Sequence, residues 1–294
     1  MTFNRSRILL GVAVAVILVA ILAKFADLKW ADFAKVSPHY VGLSVVFSML
    51  TLALRALNYR VIAALPEPRP LGAWIDLSLR HQFLFTAVPS GLGDIGFPVL
   101  AKRFVGTDIA KGAGIIGMAR LRDLLVLPGL GCLGLAIGGH MTPLIGVLGA
   151  ALIGGGLMAE QLVAPLRALL RRFGQSGPSL SGPIAFQAQL RRTALSLASW
   201  GAAGAALWCA YAAAGVTFPV GDVFIMLAGL NLIGVLAISV GGLGVAEAGS
   251  TGVLAFLGYT LEKAAQLSLV ARPILLVSVL FSCVLWWGIR KLAR

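Results

Sequence analysis

Residues 239–250 read SVGGLGVAEAGS, four glycines and a glutamate inside an apolar stretch that runs from 219 to 258. Glycine is about 1 kcal/mol worse than alanine in a helix interior, so a run this dense ends one helix and begins another. A second apolar stretch, 72–106, is interrupted in the same way by PSGLGD at 89–94. Each stretch therefore reads as a helix, a glycine turn and a second helix. Such backbone is tolerated at membrane depth only where protein or a watery cavity covers it.

Outward from these turns the chain is greasy. Of its 294 residues, 59% are hydrophobic and 12% charged, whereas soluble domains average about 45–50% apolar and about 25% charged. Apolar runs long enough to cross a bilayer recur at about 8–23, 41–65, 111–138, 141–162, 193–214 and 264–288. The fold class that follows is all-α, a polytopic transmembrane bundle of about six full spans plus the two broken hairpins. It forms one integral membrane domain over 1–294, with a first half at about 1–162 and a second at about 193–294. Between them, 163–192 carries five arginines among Gly, Ser and Pro, and reads as a cytoplasmic linker. The basic start MTFNRSR and its 16-residue apolar run resemble a secretory signal but lack a cleavage site before Lys24, so they read as an uncleaved first span.

Charge sets direction. With the N-terminus in the cytoplasm and each hairpin returning to its starting side, 17 basic residues fall inside, against Lys24, Lys29, Lys35 and Lys263 outside. That is the positive-inside pattern, with both termini cytoplasmic. The count does not separate a shallow re-entrant hairpin from two full crossings. The net charge of +13 is explained by this bias and by anionic headgroups. Nucleic acid is excluded as a partner, because no basic, aromatic-interleaved soluble surface exists to carry it.

The two turns are related. Ser90-Gly91-Leu92-Gly93 matches Gly241-Gly242-Leu243-Gly244. One inserted residue later, Gly106, Lys111, Ala113, Ala119 and Arg120 match Gly258, Lys263, Ala265, Ala271 and Arg272. Because the first hairpin enters from the cytoplasm and the second from outside, this is an inverted repeat, the arrangement that places a transporter's site near the midplane. Arg120 lies nine residues past Lys111 and Arg272 nine past Lys263, each about 13 Å in, near the middle of a core about 30 Å thick.

A charge at that depth costs at least about 2.5–3.5 kcal/mol, so it must face a cavity or a partner. Arginine keeps its charge, and its planar fork suits phosphate and carboxylate oxygens. Asp123, three residues on from Arg120, shares its face. Glu247 and Asp94, beside the turns, are candidates to pair with the arginines or to carry protons. Asp94 also fits a plain helix cap. Each new helix N-terminus after Gly91, Gly93, Gly242 and Gly244 offers N–H groups and partial positive charge to an anion. Arg80 and His81 either line the same cavity or, for Arg80, snorkel to the interface. Pro273 is expected to kink its helix. The expectation is one wet chamber shared by both arginines; the alternative is that they only tie helices together.

No Ser/His/Asp grouping, metal cluster or nucleotide loop is present. Cys132, Cys209 and Cys283 stand alone, and the three histidines are scattered. No cofactor and no metal are expected.

PSGLGDIGFPVLAKRF with ARLRDL, and GGLGVAEAGSTGVLAFLG with ARPILLV, resemble the two signature regions of the flippase-like membrane domain family. This is the transmembrane region of lysylphosphatidylglycerol synthase, found also in the multiple peptide resistance factor. The resemblance implies a bacterial cytoplasmic-membrane protein that moves anionic, modified or polyprenyl lipids between leaflets. Its polar motif residues would fall on Asp94, Arg103, Arg120, Asp123, Glu247 and Arg272. Nothing follows Arg294, so the expectation is a standalone member without the aminoacyl-transfer domain, not an enzyme. Its partners would be membrane lipids, with room for a homo-oligomer or a separate lipid-modifying enzyme. The competing readings are an intramembrane lipid-modifying enzyme and a non-transporting scaffold.

Overall fold

Among the described residues, the main helices, nine in number, follow from local signals. They are α1 (Pro38–Ala63), α2 (Leu71–Ala87), α3 (Leu92–Val105), α4 (Ile109–Ile137), α5 (Pro143–Leu157), α6 (Phe186–Ala213), α7 (Val220–Leu236), α8 (Val245–Phe256) and α9 (Leu261–Leu292). Proline opens α1 and α5, where its missing N–H does no harm. Asp108 caps α4 by accepting from the Lys111 amide at 2.6 Å. Gly106 at φ +79° and Gly258 at φ +94° end α3 and α8 in the left-handed region. These two glycines were already matched by the repeat, and the turn they make gives the reason. The computed structural model describes residues 17–292 apart from 18, 22, 28, 30–32, 68, 88–91, 163–184 and 237–243. Residues 163–184 of the linker, most of the first span and the tips of both hairpins lie outside these residues; the expected linker's last stretch, 186–192, is already helix α6, with Arg192 buried in the bundle.

Among the described residues there is no strand. Of the helices described, α1, α6 and α9 are long and apolar enough to cross a membrane. Helix α4 has the length, 29 residues, but carries Arg120, Arg122 and Asp123 at mid-course. Helix α9 continues through Pro273. Helices α3 and α8 have 14 and 12 residues, about 21 and 18 Å, short of a hydrocarbon core of about 30 Å.

Antiparallel packing of α1 on α6 forms the axis of the bundle. The Ser37 amide donates to Ala213 O at 3.1 Å, the Ser44 hydroxyl to Ala206 O at 3.1 Å, and Arg192 to Val61 O at 3.2 Å. Rising numbers on one helix meet falling numbers on the other. Exchanging α1 with α6, α2 with α7, α3 with α8 and α4 with α9 maps every packed pair of these eight helices onto another packed pair. Two copies of a four-helix unit therefore lie in opposite directions, and α5 stands outside the exchange.

The hairpins enter from opposite ends. Arg69, before α2, packs at Gly106 after α3, and Arg290 at the end of α9 donates to Gly72 O at 2.7 Å. Arg290 also pairs with Asp76. This end also holds the start of α6, and it collects the basic residues. At the other end, His140 contacts Asp222 of α7 at 3.1 Å, and its ring lies 5.8 Å from that of Phe256 of α8 at a tilt of 44°. One apolar core gathers around Trp74, Phe97 and Ile115 of the first half, and another around Tyr211, Met226 and Leu254 of the second, which Val126, Leu127 and Leu130 of α4 join. Large apolar side chains such as Leu144, Val147, Ile95, Val99 and Val284 face outward, a surface suited to hydrocarbon and not to water.

Candidate functional site

The third residue of α3 and the third residue of α8 are both carboxylates, Asp94 and Glu247. Each faces an arginine on the long helix that follows. Arg120 Nε and Nη2 donate to the two oxygens of Asp94 at 2.7 and 2.8 Å, a bidentate pair. Arg272 Nε lies 3.6 Å from Glu247 Oε1. Hairpin carboxylate and mid-helix arginine thus meet twice, once in each half.

Around Arg120 the pair is embedded in a polar chain. His81 Nε2 lies 2.9 Å from Asp94 Oδ1, and its Nδ1 lies 3.3 Å from the Tyr59 hydroxyl. Asp123 approaches Arg120 at 3.5 Å, but its closer partners are on α6: the Trp200 indole N–H at 2.8 Å and the Ser196 hydroxyl at 3.1 Å. The Arg120 guanidinium sits 5.3 Å from the Phe85 ring, and Arg55 sits 5.0 Å from that of Trp200. A narrow cleft beside Arg120 is walled by Arg55, Asn58, Tyr59, Asp123, Ser196 and Ser199, with room for little more than a water molecule. Asn58 Oδ1 and Ser199 Oγ are buried there with no partner among the described residues. They provide polar atoms for water or a headgroup.

The second site is drier. Glu247 is 3% exposed, and its other oxygen accepts from the Gly244 amide in a capping box. Gly244, at φ +80°, holds a turn that other residues resist. The α8 N-terminus is thereby occupied by its own glutamate, which leaves less of its positive end for an outside anion than the sequence suggested. Thr251 and Ser268 link α8 to α9 at 3.3 Å.

The remaining predicted residues fall as follows. Gly93 makes room for the hairpin: a Cβ there would lie 2.7 Å from the Phe85 Cα. Gly91 and Gly242 lie outside the described residues. Arg103 is in the last turn of α3, 5.6 Å from the Phe104 ring, which Arg80 also covers at 4.3 Å. Both belong to the basic end and not to the Arg120 cluster. Among the described residues, the cleft at Arg120 is not lined by Arg272 or Glu247, and each arginine meets the carboxylate of its own hairpin.

Sequence reasoning missed Tyr59, Ser196 and Trp200. One signal was available: Tyr59 and Tyr211 stand 152 residues apart, the same offset as Arg120 and Arg272. It also gave no role to Arg122, which is fully buried. Glu160 Oε1 accepts from Arg122 at 2.6 Å and from Arg192 at 2.9 Å. This triad joins α4 and α6 to the segment after α5, and its place is structural.

A family profile described as the lysylphosphatidylglycerol synthase TM region matches residues 8–283. The chain belongs to this family. Membership makes it a membrane-embedded protein of the lipid flippase-related kind, matched in the transmembrane part and not in a synthetase domain. Both arginine–carboxylate pairs fall within the matched segment. No curated protein matches the chain.

Proposed function

We propose that this protein is a transbilayer lipid translocase of the bacterial cytoplasmic membrane, with its basic end and both termini in the cytoplasm. The observation that carries the reading is the repeated pair: a carboxylate near the start of a short hairpin helix, closed on an arginine inside the long helix that follows, once from each end. Each pair is neutral at rest. A phosphate-bearing headgroup can take the place of Asp94 on Arg120, because the fork that holds two carboxylate oxygens holds two phosphate oxygens equally well. Handing the phosphate to Arg272 would then carry it into the half that opens the other way. Acyl chains stay in hydrocarbon along the outward-facing apolar side of the hairpin, where Ile95 and Val99 are exposed beside Asp94.

The partners are anionic phospholipids or related polyprenyl lipids, with no cofactor. An enzyme would need a free acid–base group beside the arginines. His81 has a companion in Asp94, but both its ring nitrogens are engaged and it is 4% exposed. The test is dithionite quenching of headgroup-labelled phospholipid in proteoliposomes. Wild type should expose the inner-leaflet label, and Arg120→Ala and Arg272→Ala should slow this at least tenfold. No transbilayer movement by wild type across a panel of anionic lipids sinks the reading. Chemical turnover of lipid by the purified protein replaces it with the enzyme.

A further inference from the structure

At the basic end, a cavity of about 310 Å³ opens where α1 stops and α2 and α6 start. That volume lies within the range of about 300–1,000 Å³ that small-molecule sites occupy. Arg60 in the last turn of α1, Arg69 in the loop after it and Arg191 in the second turn of α6 line it together. Leu57, Val61 and Trp74 supply apolar wall. The lining holds no carboxylate, and among the described residues none of the three arginines has an ion-pair partner. Three unneutralised guanidiniums on one hollow repel one another unless an anion joins them.

Local structure builds this hollow deliberately. Ala64 ends α1 in the left-handed region at φ 42°, a conformation uncommon for a residue with a Cβ. That turn directs the chain through Arg69 toward α2. The antiparallel axis brings Arg191 to the same place, since its neighbour Arg192 donates to Val61 O at 3.2 Å. Trp74 is 1% exposed, and its indole N–H has no acceptor among the described residues. A cavity with a cationic rim and a greasy wall matches one chemistry, an anionic phosphate carried on an apolar body.

We infer that this cavity is a docking site for the headgroup of an anionic phospholipid, separate from the mid-membrane pairs. Its arginines grip the phosphate oxygens, and Leu57, Val61 and Trp74 take the glycerol and the first carbons of the chains. The site adjoins the start of the α2–α3 hairpin, so it would load the leaflet that the translocase draws from; that part rests on the function proposed above.

The experiment measures equilibrium binding to the full-length protein in detergent. The probes are dioctanoyl phosphatidylglycerol, dioctanoyl phosphatidylcholine, glycerol 3-phosphate and inorganic phosphate. Wild type should bind the phosphatidylglycerol at least tenfold more tightly than the phosphatidylcholine or either free phosphate. Arg69→Gln and Arg191→Gln, both at exposed positions, should each weaken phosphatidylglycerol binding about three- to tenfold, and together with Arg60→Gln by more than tenfold. Arg60→Lys should recover only part of the loss. Unchanged binding by the triple variant, with its melting temperature intact, overturns the proposal. So does equal affinity for glycerol 3-phosphate, which would make it a free-phosphate site. Because binding is read without transport, arginine-dependent binding in a protein that moves no lipid defeats only the translocase reading. Transport with no arginine-dependent binding defeats only this site.

Discussion

Arg120 and Arg272 occupy equivalent places in the two halves, yet the first meets its carboxylate through bonds of 2.7 and 2.8 Å and the second at 3.6 Å. The same offset of 152 residues carries Tyr59 to Tyr211, but it carries Arg55 to Leu207 and Asp123 to Leu275. Helix α7 contains no histidine to match His81. The halves have thus kept a shared skeleton of tyrosine, hairpin carboxylate and arginine. Among the described residues, the first has further charged groups around it, His81 and Asp123, and the second has hydroxyls, Ser250 and Thr251, on the Glu247 carbonyl. The two arginines are about equally exposed, but the first meets a partly exposed carboxylate in a bidentate pair and the second a buried one at a longer distance.

The largest effect should follow from Asp94→Ala, which strands Arg120 and removes the partner of His81. Unfolding in detergent should show a loss of about 3 kcal/mol, with Asp94→Asn milder. Next comes Gly93→Ala, which drives a methyl toward the Phe85 backbone and should cost about 2 kcal/mol by the same measurement. Glu247→Ala removes a loose ion pair and one helix cap, so about 1.5 kcal/mol is expected. A greater loss at Glu247 than at Asp94 would break the comparison between the halves. The smallest is Trp200→Phe, which deletes one of the bonds to Asp123 while keeping the ring. It should cost about 1 kcal/mol and leave the stability of Glu247 variants additive, because no hydrogen bond among the described residues links its indole to the second pair.

Much of the fold was legible because glycine and charge are local signals. The matched Gly106 and Gly258 each close a hairpin, and the lysine and arginine count gave the opposite directions that the end contacts display. Pairing of Asp94 and Glu247 with the two arginines was also within reach, since each carboxylate stands beside its turn. Trp200 and Ser196 were not, because they reach Asp123 across more than 70 residues of chain. Asp123 itself looked like the natural partner of Arg120 at a spacing of three, but the hairpin delivers a better-aligned carboxylate. Each arginine is met by a carboxylate from its own half, a pairing that periodicity along one helix cannot reveal.

The half-length arms have one more consequence, for the shape of the barrier a charge meets. Asp94 lies 11 residues before the end of α3 and Glu247 nine before the end of α8, about 17 and 14 Å from opposite mouths of the bundle. Those depths together span a hydrocarbon slab of about 30 Å. An ion crossing bare lipid climbs a single hill whose height is set by the full thickness of low dielectric. For the translocase proposed above, that hill would be cut near its summit by two fixed dipoles, leaving a pair of lower slopes descending to either side.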